Sequence, residues 1–470
     1  MTTDCSAQQL EFQGVNRRTL VATFDGGTLT SDAGVLLLAE VERKRGIVRQ
    51  FAACFQDRRH PAFVEHRLEE LVSQRVLGLA LAYEDLNDHD ELRTDPLLAT
   101  VMGKADPTGN DRRQKRDRGK PLAGKSTLNR LEWGAVKQDR YRKIGVDSEA
   151  VDRFFVEVFL SAYESAPPTQ IILDLDATDD PLHGEQEGRF FHGYYGEYCY
   201  LPLYIFCGPH LLCARLRNSD RDASAGAVTE VERIVAQIRS RWSKVQIILR
   251  ADSGFAREEL MVWCEQHEVK FVFGLARNAR LQRALGGELT QAREQFEQSS
   301  QATRIFRDFT YRTRKSWSCE RRVIGKAEHL AKGANPRFIV TSLAAESWPA
   351  AALYEQLYCA RGEMENRIKE QQLCLFADRT SSHALASNQL RLWFSSVAYI
   401  LLNELRRLGL QGTELARARC DTIRTKLLKI GAQVRVTVRR VWVQLASSYP
   451  YATLFTHIVG QLRAGPNPIG

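Results

Sequence analysis

No run of apolar residues in this chain approaches the roughly 20 needed to cross a bilayer. The longest uncharged apolar stretch, LWFSSVAYILL from Leu392 to Leu402, has the length of a buried helix segment. The N-terminus, MTTDCSAQQLEF, lacks the basic start and apolar stretch of a signal peptide, which predicts a cytoplasmic protein. Proline and glycine are sparse, at 14 and 31 of 470 residues, which excludes a collagen-like or low-complexity chain. No repeat recurs at a fixed period. The ten cysteines (Cys5, Cys54, Cys199, Cys207, Cys213, Cys264, Cys319, Cys359, Cys374 and Cys420) form no C-x-x-C pair and have no histidine at zinc-finger spacing. Strings such as YIFCG and HLLCARL place thiols among apolar neighbours, where a reduced cysteine behaves as a small hydrophobe.

What is present is a globular composition, 44% hydrophobic and 26% charged, with the length of two or three domains. Lys+Arg exceed Asp+Glu by 66 to 57, a net charge of +9 that favours polyanionic partners. Residues 15–29 suggest an extended segment ending at Gly26-Gly27, after which Ser31-Asp32 can cap a helix with Val35, Leu36, Leu38 and Val41 on its apolar positions. Helical patterns recur at about 62–83 and 149–163, so residues 1–166 read as a mainly helical region. Pro167-Pro168 ends it.

Apolar strand patterns then follow at 170–176, 189–195, 198–206 and 210–217. A helix at 225–241, a strand at 245–250, a helix at 256–267 and a strand at 270–275 complete the first part of a mixed α/β core, residues 167–276. Residues 277–334 are polar and basic, with strand-like pieces such as TRIFRDFTYRT and ERRVIG, and read as an insertion. The core resumes over 335–410, with helical patterns at 350–373 and 385–408. A basic C-terminal region, 411–470, holds a helix near 413–429 and one strand, VRVTVRRVWV at 434–443, with Arg435 and Arg439 on one face.

Gly119 to Ser126, GKPLAGKS, matches the phosphate-loop pattern in full. That loop requires a buried strand leading in, so that a helix aims its first amides at a phosphate. Here NDRRQKRDR precedes it, which cannot be a core strand, so a nucleotide site is rejected. A helix starting near Ser126, among Arg112, Arg113, Lys115, Arg116, Arg118, Lys120, Lys125 and Arg130, suits contacts to DNA phosphates. A solvated surface loop is the plain alternative.

The strand IILDLDATDD places Asp174 and Asp176 on one face by its two-residue period. Carboxylates there resist burial unless a cation or basic group compensates. VQIILRADSGF likewise delivers Asp252 at the carboxyl end of a strand, where ligands of α/β sheets collect. Asp252 equally suits a helix cap. In YCARGEMENRIKEQQ, helical spacing puts Tyr358, Arg361, Glu365, Lys369 and Gln372 on one face, either as a site or as a surface ion-pair ladder.

Together these elements resemble the DDE transposases of bacterial insertion sequences, and within them the insertion sequence 1380 family, over nearly the whole chain. The supporting strings are FDGGTLTSDAGVLLL, YEDLNDHDELRTDP, LAGKSTLNRLE, LDLDATDDPLHGEQEGRFFHGYYGEYCYLPLYIFCG, LRADSGFA and YCARGEMENRIKEQQL. The last resembles the Tyr-x2-Arg-x3-Glu-x6-Lys signature through Tyr358, Arg361 and Glu365; Gln372 stands at the lysine position, with Lys369 the nearest substitute. The class's Asp-x-Thr corresponds to Asp176-Ala177-Thr178.

The resemblance implies an RNase H-like core with a β-rich insertion and a helical N-terminal DNA-binding region. It implies that Asp176, Asp252 and Glu365 hold two Mg²⁺ ions, or Mn²⁺, and catalyse cleavage at the element's ends and joining of the 3′ ends to target DNA. Tyr358, Arg361 and Lys369 would hold the DNA backbone, and Trp317 is a candidate for stacking a flipped base, with an ordinary core or surface tryptophan the plainer reading. The implied partners are double-stranded DNA, as terminal inverted repeats and target, and a second copy of the chain. The implied setting is the bacterial cytoplasm, at the nucleoid when bound to DNA. The rival expectation is a DNA-binding protein without catalysis, degenerate or adopted by its host.

Overall fold

The computed structural model describes residues 9–15, 18–134 and 139–464. The chain divides into two compact units, Met1–Val146 with Val397–Gly470, and Asp147–Ser396. Among the described residues no helix is long and apolar enough to cross a membrane.

Sequence periodicity sets 1–166 and 411–470 apart, yet both chain ends build the first unit. The strand Ala432–Val436 pairs with Leu29–Thr30, and the Ala33 amide donates to the Ile430 carbonyl at 3.0 Å. Asp32 does not cap the helix Val35–Arg45, whose N-cap is Gly34. Its carboxylate is 1% exposed and pairs with Lys429 at 2.6 Å while accepting the Tyr83 hydroxyl at 2.7 Å. A buried carboxylate needs a counter-charge more than a helix needs a cap.

The stretch expected as one strand at 434–443 is a hairpin, Ala432–Val436 against Val441–Leu445. Residues 437–440 turn between them, closed by the Thr437 amide on the Arg440 carbonyl at 2.9 Å. Arg435 therefore lies in a strand and Arg439 in a turn. Alternation fits a hairpin as well as one long strand, and pairing the two halves satisfies backbone groups that a lone strand leaves open. The helix expected near 413–429 is reduced to Cys420–Ile423 and a π-helical turn, Arg424–Leu428. A helix at Ala452–Arg463, for which no pattern was assigned, closes the unit.

The second unit is built on a nine-stranded mixed sheet. Its strands along the chain are β1 Gln170–Ala177, β2 Leu203–Cys207, β3 His210–Arg215, β4 Gln246–Ala251, β5 Lys270–Leu275, β6 Thr303–Tyr311, β7 Arg321–Leu330, β8 Gly333–Ala334 and β9 Arg337–Thr341. Their order is β3-β2-β1-β4-β5-β9-β7-β6, with β8 on β7. β1, β4 and β5 run parallel, while β2 and β9 are antiparallel to them. The central strands read as near-continuous apolar runs because both faces are covered.

On one face, Leu173, Leu175, Ile247, Leu249 and Phe271 pack with Phe159, Ile234 and Met261. Those last three come from helices α1 Ser148–Ala162, α2 Ala227–Arg241 and α3 Glu258–Gln266. On the other face, Ile248, Val272 and Ile339 pack with Leu353, Tyr354 and Leu357.

Residues 277–334 are less separate than expected. They begin with two helices, Ala279–Ala284 and Gly286–Ser299, and β7 and β6 then extend the central sheet beyond β9. The open edge of β9 presents unpaired backbone groups, and these strands satisfy them. Trp317 belongs to the core on this side, 5% exposed, with its ring edge-on to Tyr311 and Arg321 over it at 5.5 Å.

Candidate active site

The site forms where the carboxyl ends of β1 and β4 meet the helical segment that follows Pro349. Parallel register sets Arg250 of β4 opposite Asp174 of β1. Arg250 Nε donates to Asp174 Oδ1 at 2.5 Å and Nη2 to Oδ2 at 2.8 Å, while Nη1 donates to the Leu357 carbonyl at 2.6 Å. Burial pushes the Asp174 carboxyl up, against the bonds and charge of Arg250. Both oxygens are thus committed, and the next acid on that face, Asp176, is the one left toward the strand end.

Asp176 has a side chain 15% exposed and accepts the Ala177 amide at 3.0 Å. Its carboxyl is pushed up to about 7, first by burial, against Arg361, and further by the charges of Asp252 and Glu365. Two acids distant in sequence therefore act on Asp176 through space. Asp252 also fulfils its alternative role, capping the turn Ser253–Phe255 by accepting the Gly254 amide on Oδ1 at 2.8 Å.

Gly274 of β5 shapes the wall. A Cβ there would stand 2.6 Å from the Tyr358 hydroxyl oxygen and 2.8 Å from the Ser253 nitrogen. The missing side chain lets the Tyr358 phenol lie beside the Asp252 turn. Burial raises that phenol, with Arg361 opposing and Asp252 adding.

The pattern predicts an unbroken helix over 350–373. The structure has a π-helical turn at Leu353–Tyr358, a 3-10 turn at Cys359–Arg361, and then α4, Gly362–Leu375. The Leu357 carbonyl inside this irregularity is the one Arg250 holds, and π turns recur at functional sites. Arg361 Nη2 lies 2.7 Å from Glu365 Oε1, and its Nη1 lies 4.0 Å from Asp176 Oδ2. Burial works against the Arg361 charge, but Tyr358, Asp176, Glu365 and Asp252 outweigh it and raise its pKa. Among the described residues no group of three or more His, Cys, Asp or Glu is spaced to hold a metal ion. The Arg361 guanidinium is the positive charge between two of the acids.

Lys369 is exposed on α4. Gln372, at the signature's lysine position, donates through Nε2 to the Asp179 carbonyl at 3.0 Å and to Asp180 Oδ1 at 2.9 Å. It pins the turn after β1.

Sequence reasoning missed Arg250, whose signal was a lone arginine within an apolar strand, and Tyr195. The Tyr195 hydroxyl lies 3.5 Å from the Ala177 carbonyl, and burial, with Asp179 and Asp176, raises it. It sits in the loop joining Phe190–His192 to Glu197–Tyr200. Tyr194 beside it is 85% exposed.

In the other unit, Arg113, Lys115, Arg116, Arg118, Lys125 and Arg130 are exposed, and Lys120 is half-buried. Arg112 is turned inward, 8% exposed, paired with Glu65 at 3.1 Å and 2.6 Å from His66 Nε2. The phosphate-loop look-alike has a 3-10 turn, Lys115–Asp117, before it, and its helix is Lys125–Trp133. The Lys125 amide donates to Asp90 Oδ1 at 3.0 Å, and its ammonium reaches Asn87 at 3.1 Å and Asp90 at 3.4 Å. A carboxylate of the chain itself occupies the place of a phosphate. Arg113 and Arg130 line a cleft of about 450 Å³ with Arg59, Lys143, Phe63 and Tyr141.

The class is an α/β protein with acidic residues at the carboxyl ends of parallel strands, beside an irregular helical segment that carries Tyr358, Arg361 and Glu365. The chain belongs to the family described as transposase DDE domain group 1, whose model matches residues 12–467. It is accordingly a DDE transposase, an enzyme of DNA transposition. A search of curated proteins finds no match.

Proposed function

We propose that this transposase, of the insertion sequence 1380 type, cuts DNA at the ends of its element and joins the 3′ ends to target DNA, with Asp176, Asp252 and Glu365 as the catalytic acids. The observation that carries the reading is the convergence on Asp176: Arg361 bonds Glu365 at 2.7 Å and reaches the Asp176 carboxylate at 4.0 Å, and burial, against Arg361, with the charges of Asp252 and Glu365 raises that carboxyl. Asp176, Asp252 and Glu365 are the residues that would hold a dication, and their carboxylates are the hard oxygen donors that suit Mg²⁺ or Mn²⁺. Two such ions, held by the three acids, would supply activation of the attacking oxygen and stabilisation of the leaving one.

The remaining roles fall to the chain's own groups. Tyr358 and Arg361 hold the DNA backbone beside the acids, the arginine as a forked phosphate clamp. Arg250 fixes the helical segment that carries both, and Gln372 fixes the turn after β1. The strand order β3-β2-β1-β4-β5, with α2 and α3 flanking β4 in sequence, supports an RNase H-like core. The exposed basic stretch 113–130 serves duplex phosphates in an N-terminal DNA-binding region. A homodimer holds the two inverted repeats during reaction.

The test is nicking of a supercoiled plasmid that carries the element's inverted repeats, with Mg²⁺ or Mn²⁺. Cleavage is expected from the native protein and abolished by Asp252→Asn. Retained DNA binding without cleavage in any metal condition overturns the reading in favour of a non-catalytic binding protein.

A further inference from the structure

A cation at the start of a helix is opposed by the helix dipole, and an arginine four residues before a glutamate is the weaker order of such a pair. Arg361 has the second feature: it bonds Glu365 at i+4, within a helical segment that runs on continuously before it. Helix stability gains little from a pair in this order. The backbone before it is irregular, a π-helical turn and then a 3-10 turn, so its aim is set by a segment that departs from regular α-helix. Its guanidinium spans from Glu365, at 2.7 Å, toward Asp176, at 4.0 Å. The Glu365 side chain is 40% exposed and that of Arg361 20%, so the pair lies open to an incoming anion.

We propose that Arg361 is an internal stand-in for the catalytic cation, holding Glu365 until a DNA phosphate draws it away, so that metal binding and DNA binding are coupled. This rests on the site reading above and deepens it. Without DNA, the guanidinium occupies a Glu365 oxygen and places a positive charge beside Asp176. Both effects oppose a dication. A phosphate offers the fork a second bidentate partner. When Arg361 turns to it, Glu365 is released toward Asp176 and Asp252, and the acids are freed only where there is DNA to cut. The coupling is reciprocal: the factor by which DNA tightens metal binding is the factor by which metal tightens DNA binding.

The experiment measures Mn²⁺ affinity by electron paramagnetic resonance on the full chain, with and without a short duplex of the inverted repeat already ending at the cut. Arg361→Gln is expected to bind Mn²⁺ more tightly than the native protein when DNA is absent, by a factor within the usual coupling range of about 5–150-fold. Arg361→Lys, which keeps a cation, should stay near native. The duplex should tighten Mn²⁺ binding to the native protein and have a much smaller effect on Arg361→Gln. Equal Mn²⁺ affinity of Arg361→Gln and native protein without DNA overturns the proposal. The control variant is Glu365→Gln. If it weakens Mn²⁺ binding while Arg361→Gln does not strengthen it, the site stands and the coupling fails. If Glu365→Gln binds Mn²⁺ like the native protein, with and without DNA, the assignment of Glu365 as a ligand falls, and the coupling with it.

Discussion

Asp180 shows at the residue scale how burial alone sets a proton's place. The residue is fully buried, and its Oδ2 has no hydrogen-bond partner. Burial raises its carboxyl to about 8, against the Gln372 bond, with Asp378 and Asp179 adding. From the ordinary 3.8 up to about 8, the folded chain therefore holds a proton that the unfolded chain has released. Stability from this group is complete below the lower value and is lost as pH rises through the window. Asp180→Asn keeps the Oδ1 acceptor for Gln372 and removes the titration. Its stability relative to native, followed by urea unfolding, should improve steadily from pH 5 to pH 8; a difference independent of pH would contradict the burial argument. Burial likewise decides Arg112, whose guanidinium is committed to Glu65 and His66, and Trp317, which is packed in the core.

At the scale of elements, the site depends on how β1, β4 and β5 present their ends to one irregular helical segment. Arg250 joins three of these parts, bonding Asp174 across the strand pair and Leu357 beyond it. Removing one partner of a buried pair leaves a charge without compensation, so Arg250→Met should cost about 3–5 kcal/mol in unfolding free energy. The double variant Arg250→Met with Asp174→Leu should recover most of that loss, as a double-mutant cycle in urea can show. Gly274→Ala tests the wall on the β5 side. The added Cβ meets Tyr358 and the Asp252 turn, so about 1–3 kcal/mol of overpacking is expected. Plasmid nicking should fall well beyond what that stability change explains.

For the molecule as a whole, chain order and spatial order differ. The unit that holds the candidate site is one continuous stretch, Asp147–Ser396, whereas the other unit gathers both ends of the chain. If the exposed cations of 113–130 in that unit serve DNA as proposed, they should act additively on its affinity, each through its own phosphate. Lys115→Ala with Arg118→Ala should lower the slope of log affinity against log salt by about 0.9 for each lost duplex contact. Arg112→Ala should instead lower thermal stability, since it strips Glu65 and His66 of their partner. A salt titration by fluorescence anisotropy and a melting curve separate the two outcomes.

The sequence by itself determined the strands and helices at 170–176 and 210–275, and with them the acids at two strand ends, because burial on both faces writes itself as hydrophobic period; the strand expected at 198–206 instead divides between β2 and Glu197–Tyr200, which joins Phe190–His192 in a separate small sheet. It also determined that GKPLAGKS lacks the strand a phosphate loop requires. The resemblance already favoured Asp176 over Asp174; only the tertiary structure showed what holds Asp174. Asp174 and Asp176 share a face and a residue type, and the difference between them is Arg250, 76 positions away. Folding likewise split VRVTVRRVWV into a hairpin, carried β7 and β6 onto the central sheet, and set Arg361 between Asp176 and Glu365. Local pattern records how a segment meets water; which charge it meets depends on segments far away in the chain.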